Sequence, residues 1–414
     1  MRGPNLSTDM RRILYTASLM VTICLLPVRL LAQADPNAPD ASKIKVRFGP
    51  LMLNPVVTFR DIGIDENVFN DPTSPKRDFS MTISPRTELF LRLGPSWLNG
   101  SLSEDIVWFR EYTAERQVNN TRGVGWKLPA GRFTTNVQTS RTHTRERYGY
   151  EIDERAARSV ISYTASASYR VLYNTAVDFT VYRNSVEYDE GVQFKGVKLS
   201  DELDVVTDAL TLGIKQYLTP LTALSATFNR TRDRYRVQSI RDAQTTEGRI
   251  AMSFDPKAIL KGNAAIGFAD FKPDNSTIPP YTGLTAAADV STTVRGVTNI
   301  TFRADRQVQN SYDIKQPYYI QSGFFLEVAQ QILGRVDLVG RVGLEYLSYR
   351  DRSGEIVEVV ERVDRVQTYG AGIGYHMGRS LRIGINYDRT RRRSPIESRE
   401  YERPRVGTAI TYDF

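Results

Sequence analysis

Cysteine occurs once in this 414-residue chain, at Cys24, and histidine only at His143 and His376. One cysteine closes no internal disulfide, and two imidazoles without a thiolate are too few for an ordinary zinc or iron site. Past Leu31 no run approaches the roughly eighteen continuous apolar residues of a membrane helix. Also missing are a Walker loop, a glycine-rich dinucleotide turn after a strand, and EF-hand spacing. No linker or shift of composition divides the chain. Hydrolytic chemistry of the Ser–His kind is poorly served, since His143 lies among Thr142, Thr144 and Arg145 with no acid nearby. The acid pair Glu151 and Asp153 reads as a solvated loop. These absences argue against an enzyme and against any catalytic residue, resident metal or cofactor.

What is present begins with Arg11 and Arg12 ahead of the apolar run Ile13 to Leu31, followed by the small residues of Ala32-Gln33-Ala34. That pattern predicts a cleaved secretory signal peptide over residues 1–34. The mature chain is expected to start near Asp35 with a short periplasmic lead to residue 50. Cys24 falls inside the removed segment, in a poor lipobox, so no cysteine remains. The 55 Lys and Arg face 47 Asp and Glu; without Arg2, Arg11, Arg12, Arg29 and Asp9 the balance is 51 to 46, a net of +5. So small a surplus favours anions only mildly. The basic run Arg391-Arg392-Arg393 resembles a nucleic-acid patch, but an exported chain has little access to nucleic acid, and none is expected as a partner.

The remaining residues alternate. Met81, Ile83, Leu89, Leu91 and Leu93 interleave with Thr82, Ser84, Arg86, Glu88 and Arg92. Val336, Leu338, Val342, Leu344 and Tyr346 interleave with Asp337, Arg341 and Glu345, and Leu381, Ile383, Ile385 and Tyr387 with Arg382, Gly384, Asn386 and Asp388. Side chains alternate across a strand, so each segment carries one apolar and one polar face. Short turn signals recur at Leu93–Ser96, Pro129–Gly131, Tyr173–Thr175, Thr219-Pro220, Asp255–Lys257, Arg295-Gly296, Leu333-Gly334 and Met377–Arg379. Longer polar stretches fall between them, at Ile64–Arg77, Thr113–Gln117, Tyr148–Arg155, Glu190–Asp201, Gln238–Asp242, Pro273–Pro280, Ser311–Ile314, Asp351–Val360 and Ser394–Glu400. Eight turns and nine loops join eighteen strands with both ends on the turn side. The fold class expected over residues 51–414 is therefore all-β, a transmembrane antiparallel up-and-down β-barrel of about eighteen strands, with sixteen the alternative. The competing architecture is a soluble propeller or β-helix, whose apolar face packs on protein.

The last strand, Arg405 to Phe414, places Val406, Thr408, Ile410, Tyr412 and Phe414 on one face. It resembles the terminal strand of bacterial outer-membrane barrels. That resemblance implies that Tyr412 and Phe414 are a signal read by the barrel-assembly machinery. The segment Gly63-Ile64-Asp65-Glu66-Asn67-Val68-Phe69, then Arg77-Asp78-Phe79 and Ile83-Ser84-Pro85, is similar to the opening of the putative β-barrel porin 2 family. Arg86 follows where that pattern carries glycine. The resemblance implies an outer-membrane location in a Gram-negative bacterium. It points to polysaccharide export, as in the exopolysaccharide-operon members, and carries over no catalytic or binding residue.

Parity assigns roles to the charges. Arg86, Glu88, Arg92, Asp337, Arg341, Glu345, Arg382 and Asp388 oppose the apolar face and are the pore-lining candidates. They either set an ion preference or pair with one another across the wall. Arg110, Arg183, Arg230, Arg232, Arg306, Arg350, Arg389 and Arg391 follow apolar runs on the lipid-facing parity. Guanidinium groups pair bidentately with phosphate, so these are candidates to meet lipopolysaccharide at the outer leaflet. Asp65, Glu66, Asn67 and Asp71 have the oxygens of a calcium site, which a polar loop explains as well. The function expected is a porin-like channel for passive passage of hydrophilic solutes, saccharide or exopolysaccharide among them. The alternative is a non-conducting barrel that docks a periplasmic export complex.

Overall fold

The computed structural model describes residues 44–332, 334–378 and 381–412, with only the backbone of the last two. The expected signal peptide, the Tyr412 side chain and Phe414 therefore lie outside the described residues. Eighteen strands form the wall: β1 (Leu51–Asp65), β2 (Asp78–Leu93), β3 (Ser96–Phe109), β4 (Gln117–Ala130), β5 (Phe133–Tyr148) and β6 (Ile152–Leu172). They continue as β7 (Thr175–Tyr188), β8 (Val205–Thr219), β9 (Thr222–Tyr235), β10 (Ala243–Phe254), β11 (Leu260–Pro273) and β12 (Tyr281–Val294). The last six are β13 (Thr298–Asn310), β14 (Tyr318–Ile332), β15 (Val336–Arg350), β16 (Val363–Met377), β17 (Leu381–Arg393) and β18 (Tyr401–Tyr412). Each pairs antiparallel with the next in sequence, and β1 pairs with β18, so the sheet closes with no free edge.

The connections fall where glycine, proline and asparagine punctuate the sequence. Gly94, Gly131, Gly296, Gly334 and Gly378 all take positive φ at the short turns, which only glycine adopts without strain. The expected count of eighteen holds, and sixteen does not.

Burial identifies the solvent on each side of the wall. On β8 the outward Leu210, Leu212 and Ile214 are 40%, 49% and 57% exposed, while the inward Thr207 and Lys215 are buried. A soluble sandwich or propeller would hide those aliphatic carbons. Here they ring the exterior, as a surrounding hydrocarbon phase requires.

Three local features modify the cylinder. The short strand Val46–Phe48 folds back on Leu51–Leu53, so residues 46–48 of the expected lead are ordered. A bulge with Asp61 at φ 61° shifts the register of β1 against both neighbours. Finally, β12 and β13 pair only from Val294↔Thr298 to Ala286↔Arg306. Above that point β12 stays on β11 as far as Tyr281, and β13 stays on β14 as far as Asn310.

Candidate pore and its extracellular closure

The eight pore-lining candidates all lie on the inward parity, and six of them are held in ion pairs. Asp337 accepts from Arg382 at 2.5 Å and pairs with His376 at 2.8 Å. Arg341 reaches Glu327, Asp388 and the Asn386 amide oxygen, each at 2.9 Å. Arg86 pairs with Glu88 at 2.8 Å, and Arg92 lies 5.8 Å from the Trp97 ring. Glu345 is buried opposite Gly323, beside Gln321. Sequence reasoning missed further inward groups, among them Glu247 with Arg249 at 2.7 Å and Arg60 with Asp105 at 3.2 Å. Their parity to exposed neighbours was the available signal. A wall of interspersed, largely paired charge is wettable without carrying a strong field of one sign.

The extracellular mouth is crossed by loops. Arg392 of β17 is fully buried, pairs with Asp364 at 2.5 Å and Asp153 at 3.3 Å, and donates to the Tyr150 carbonyl. Arg399 reaches Asp153 at 3.4 Å and the Glu151 carbonyl at 2.6 Å. Tyr349 of β15 donates its hydroxyl to the Glu151 carboxylate. Residues 149–155 belong to the β5–β6 connection and the start of β6, close to half the circumference from β15–β17, so these bonds span the lumen. The expectation that Glu151 and Asp153 sit in a solvated loop is therefore wrong. Both carboxylates are buried because arginines arrive from the far wall, and burial of a charge is tolerable only with such partners. Burial works against the charge of Arg362, but the hydrogen-bonded Asp364 carboxylate 2.7 Å away, together with Tyr349 and Glu151, outweighs it and holds that guanidinium above its ordinary pKa.

Two more loops thicken this closure. The Val68 carbonyl accepts from Arg155 at 3.1 Å and from Arg147, and Asn70 donates to the Asp153 carbonyl at 2.9 Å. Residues 189–204 form a hairpin, Gln193–Phe194 against Val197–Lys198, and a helix, Leu199–Leu203. Phe194 meets Tyr312 edge-on at 4.8 Å, and Arg241 donates to the carbonyls of Ser311 and Pro317 at 2.9 and 3.0 Å. The Asp65–Asp71 oxygens are spent inside this assembly. Asp65 pairs with Arg403, the Asn67 amide donates to the carbonyls of Asp71 and Glu402, and Asp71 caps Thr73 and Ser74.

The β13–β14 hairpin explains the interrupted ladder. Tyr318 and Ile320 have outward parity, yet both are 1% exposed and pack with Ala243 and Phe271, which have inward parity. Outer and inner faces meet only if the hairpin tip bends into the lumen. The Tyr318 and Phe271 rings lie 4.9 Å apart, and the Tyr318 hydroxyl donates to the Pro279 carbonyl at 2.8 Å. The bend leaves residues 282–285 of β12 and 307–310 of β13 without their register partners.

The outward arginines divide into two groups. Arg183 pairs with Asp208 at 2.6 Å, Arg232 donates to Asp274 at 2.8 Å, and Arg389 pairs with Glu402 at 2.7 Å. Arg306 donates to the Leu284 carbonyl and the Ser322 hydroxyl, and Arg350 to the Tyr349 carbonyl. Among the described residues, no carboxylate is in ion-pair contact with Arg110, Arg230 or Arg391. His143 accepts or donates at Ser159, 3.1 Å away near the outer rim, while His376 stands beside Asp337 at the turn side. The two imidazoles do not share a site.

A closed antiparallel barrel with an apolar exterior and a charged interior defines a porin-like outer-membrane barrel. The chain belongs to the family described as Putative beta-barrel porin 2, whose model matches residues 42–414. No curated protein matches it. Among solved structures it is similar to OccK2 (OpdF) of Pseudomonas aeruginosa, with 8% identity and a TM-score of 0.50 over 87% of this chain and 97% of that one. A BenF-like porin from Pseudomonas fluorescens Pf-5 gives 10% identity and a TM-score of 0.48 over 88% and 98%. The FrpB iron transporter of Neisseria meningitidis (F3-3 variant) gives 10% and 0.45 over 82% of this chain, which spans only 62% of that transporter. At such identities the likeness is one of fold.

Proposed function

We propose that this barrel is a gated channel for passive passage of hydrophilic solutes across the outer membrane, shut at the extracellular mouth in the conformation described. The observation that carries this reading is the contrast between wall and mouth. The wall is polar along its height, whereas the mouth is closed by loops and by a hairpin that has left its place in the sheet. The bent β13–β14 hairpin is the moving part. Swung outward, it would restore the pairs Thr282↔Asn310 through Thr285↔Gln307, heal the wall and clear the lumen. Interspersed charges of both signs, most of them paired, suit uncharged, hydroxyl-rich solutes, which supports saccharide passage, exopolysaccharide included, as the finer reading. The closed mouth also supports a second reading, a non-conducting barrel that docks a periplasmic export complex.

Planar-bilayer recording of a Thr282→Cys/Asn310→Cys variant tests the channel reading. Oxidation should pin the hairpin into the wall and raise the open-state current, and reduction should return it to the wild-type level. Persistent silence in both states, with the bond verified, would rule out the channel and leave the docking barrel.

A further inference from the structure

Counted upward from the short turns, the fifth outward position is arginine on six strands: Arg122, Arg141, Arg183, Arg230, Arg306 and Arg389. One outward step is two residues, about 6.6 Å along a strand. At a tilt near 40° that is about 5 Å of height. Four steps place these guanidiniums about 20 Å above the turns, close to the outer edge of an apolar band about 25 Å tall. They form a belt at the level of the outer-leaflet head groups.

The belt is unevenly satisfied. Arg183 and Arg389 hold carboxylates, and Arg306 holds a carbonyl and a hydroxyl. Among the described residues, no carboxylate pairs with Arg122, Arg141 or Arg230, and all three are exposed. Arg122 and Arg141 are also direct cross-strand partners, an arrangement of like charges that is unfavourable without an anion between them. The three unsatisfied members sit on β4, β5 and β9. Between those strands the exterior is indented by a concavity of about 830 Å³. Its sides are Trp126, Val137, Tyr163, Val181 and Leu210, with Arg230 at its upper rim. Ala165 leaves room in its floor.

An apolar hollow in the hydrocarbon zone under unsatisfied guanidiniums fits a lipid with several acyl chains and phosphates on its head group. We propose that this face is a binding site for phosphorylated lipid A, the anchor of lipopolysaccharide. Its acyl chains fill the hollow, and its phosphates bridge Arg122 to Arg141 and engage Arg230. Phosphate accepts paired N–H bonds from guanidinium in a fixed fork, which Arg provides better than Lys. A second copy of the chain fits worse. The neighbouring outward acids are few, Glu104, Glu187, Asp208 and Asp274, and three of them are already bound to arginine, so two such faces would bring surplus cations together.

Native mass spectrometry of the full-length protein from detergent decides this, with added lipid A, phosphatidylglycerol or inorganic phosphate as probes. Wild type should retain lipid A, and neither phosphatidylglycerol nor phosphate should displace it. Arg122→Glu/Arg141→Glu/Arg230→Glu should lower retention at least about tenfold, equivalent to about 1.4 kcal/mol. Ala165→Trp, which keeps every arginine and fills the hollow, should also lower it. Circular dichroism and heat-dependent gel migration report folding, and Arg230→Glu alone with Ala165→Trp suffices if the triple variant fails to fold. Equal retention by wild type and variants, equal binding of phosphatidylglycerol, displacement by free phosphate, or a dimer lost in the same variants would each overturn the proposal.

Discussion

Arg391 and Arg392 are neighbours in sequence and opposites in environment. Arg392 points inward, is fully buried and is held by Asp364 and Asp153, with Tyr150 completing its donors. Arg391 points outward at the rim with no carboxylate in ion-pair contact among the described residues. The inner arginine is a structural cross-link, because its carboxylates come from strands and loops on both sides of the lumen. The outer one has only a distant carboxylate, that of its cross-strand partner Glu402, which Arg389 already holds. Equal residues one position apart therefore have unequal worth, and the difference is set by strand parity and by whether compensation lies within the protein.

The strongest way to break this contrast is to remove the inner member. Arg392→Ala leaves Asp364, Asp153 and Glu151 buried without their shared cation, a loss of about 3–5 kcal/mol. The mouth should loosen, seen as faster proteolysis within residues 149–151 and 394–400 and a higher open probability in bilayers. If both stay at wild-type values, the mouth is held by something other than these charges. Next in size is Asp337→Asn, which strips Arg382 and His376 of their carboxylate at a cost of about 1–3 kcal/mol. The turn-side lumen gains a net positive charge, so the reversal potential in a salt gradient should move toward anion preference; an unchanged potential would place this cluster outside the conducting path. Tyr349→Phe removes one buried hydroxyl from Glu151 and should cost about 1 kcal/mol, read as a lower denaturation midpoint without a change in selectivity. Arg391→Ala should shift stability by less than about 0.5 kcal/mol. A loss comparable to that of Arg392→Ala would erase the distinction between the two faces.

The wall was legible in the sequence because both its signals are local. Alternation gives the face, and Gly, Pro and Asn give the turns, so eighteen strands and the inward set from Arg86 to Asp388 follow from residues a few positions apart. The mouth was not legible, since its bonds join residues such as Asp153 and Arg392, 239 positions apart. Nothing near Glu151 announces that its counter-charge waits on the opposite wall, so solvation was the natural reading. The bent hairpin escaped for another reason. Tyr318 and Ile320 share the outward parity of Phe324, and parity says which face a side chain joins but not which way the sheet leans. The outer belt was half visible: five of the eight arginines read as facing lipid phosphate turn out to be engaged by the protein itself, and Arg122 was passed over.

Gly63 sits where β1 meets β18, and a Cβ there would run into the backbone of Val406 and Gly407. This is the one joint of the cylinder whose halves are made at opposite ends of synthesis, Asp65 pairing with Arg405 and Val57 with Tyr412. Every other hairpin can zip as soon as its second strand emerges, but this seam must wait for the whole chain. A branched residue such as valine at that position would spare seventeen ladders and spoil the eighteenth. The product to look for is not an unfolded polypeptide but an open, curled sheet with two raw edges, stalled at insertion and liable to join a second sheet end to end.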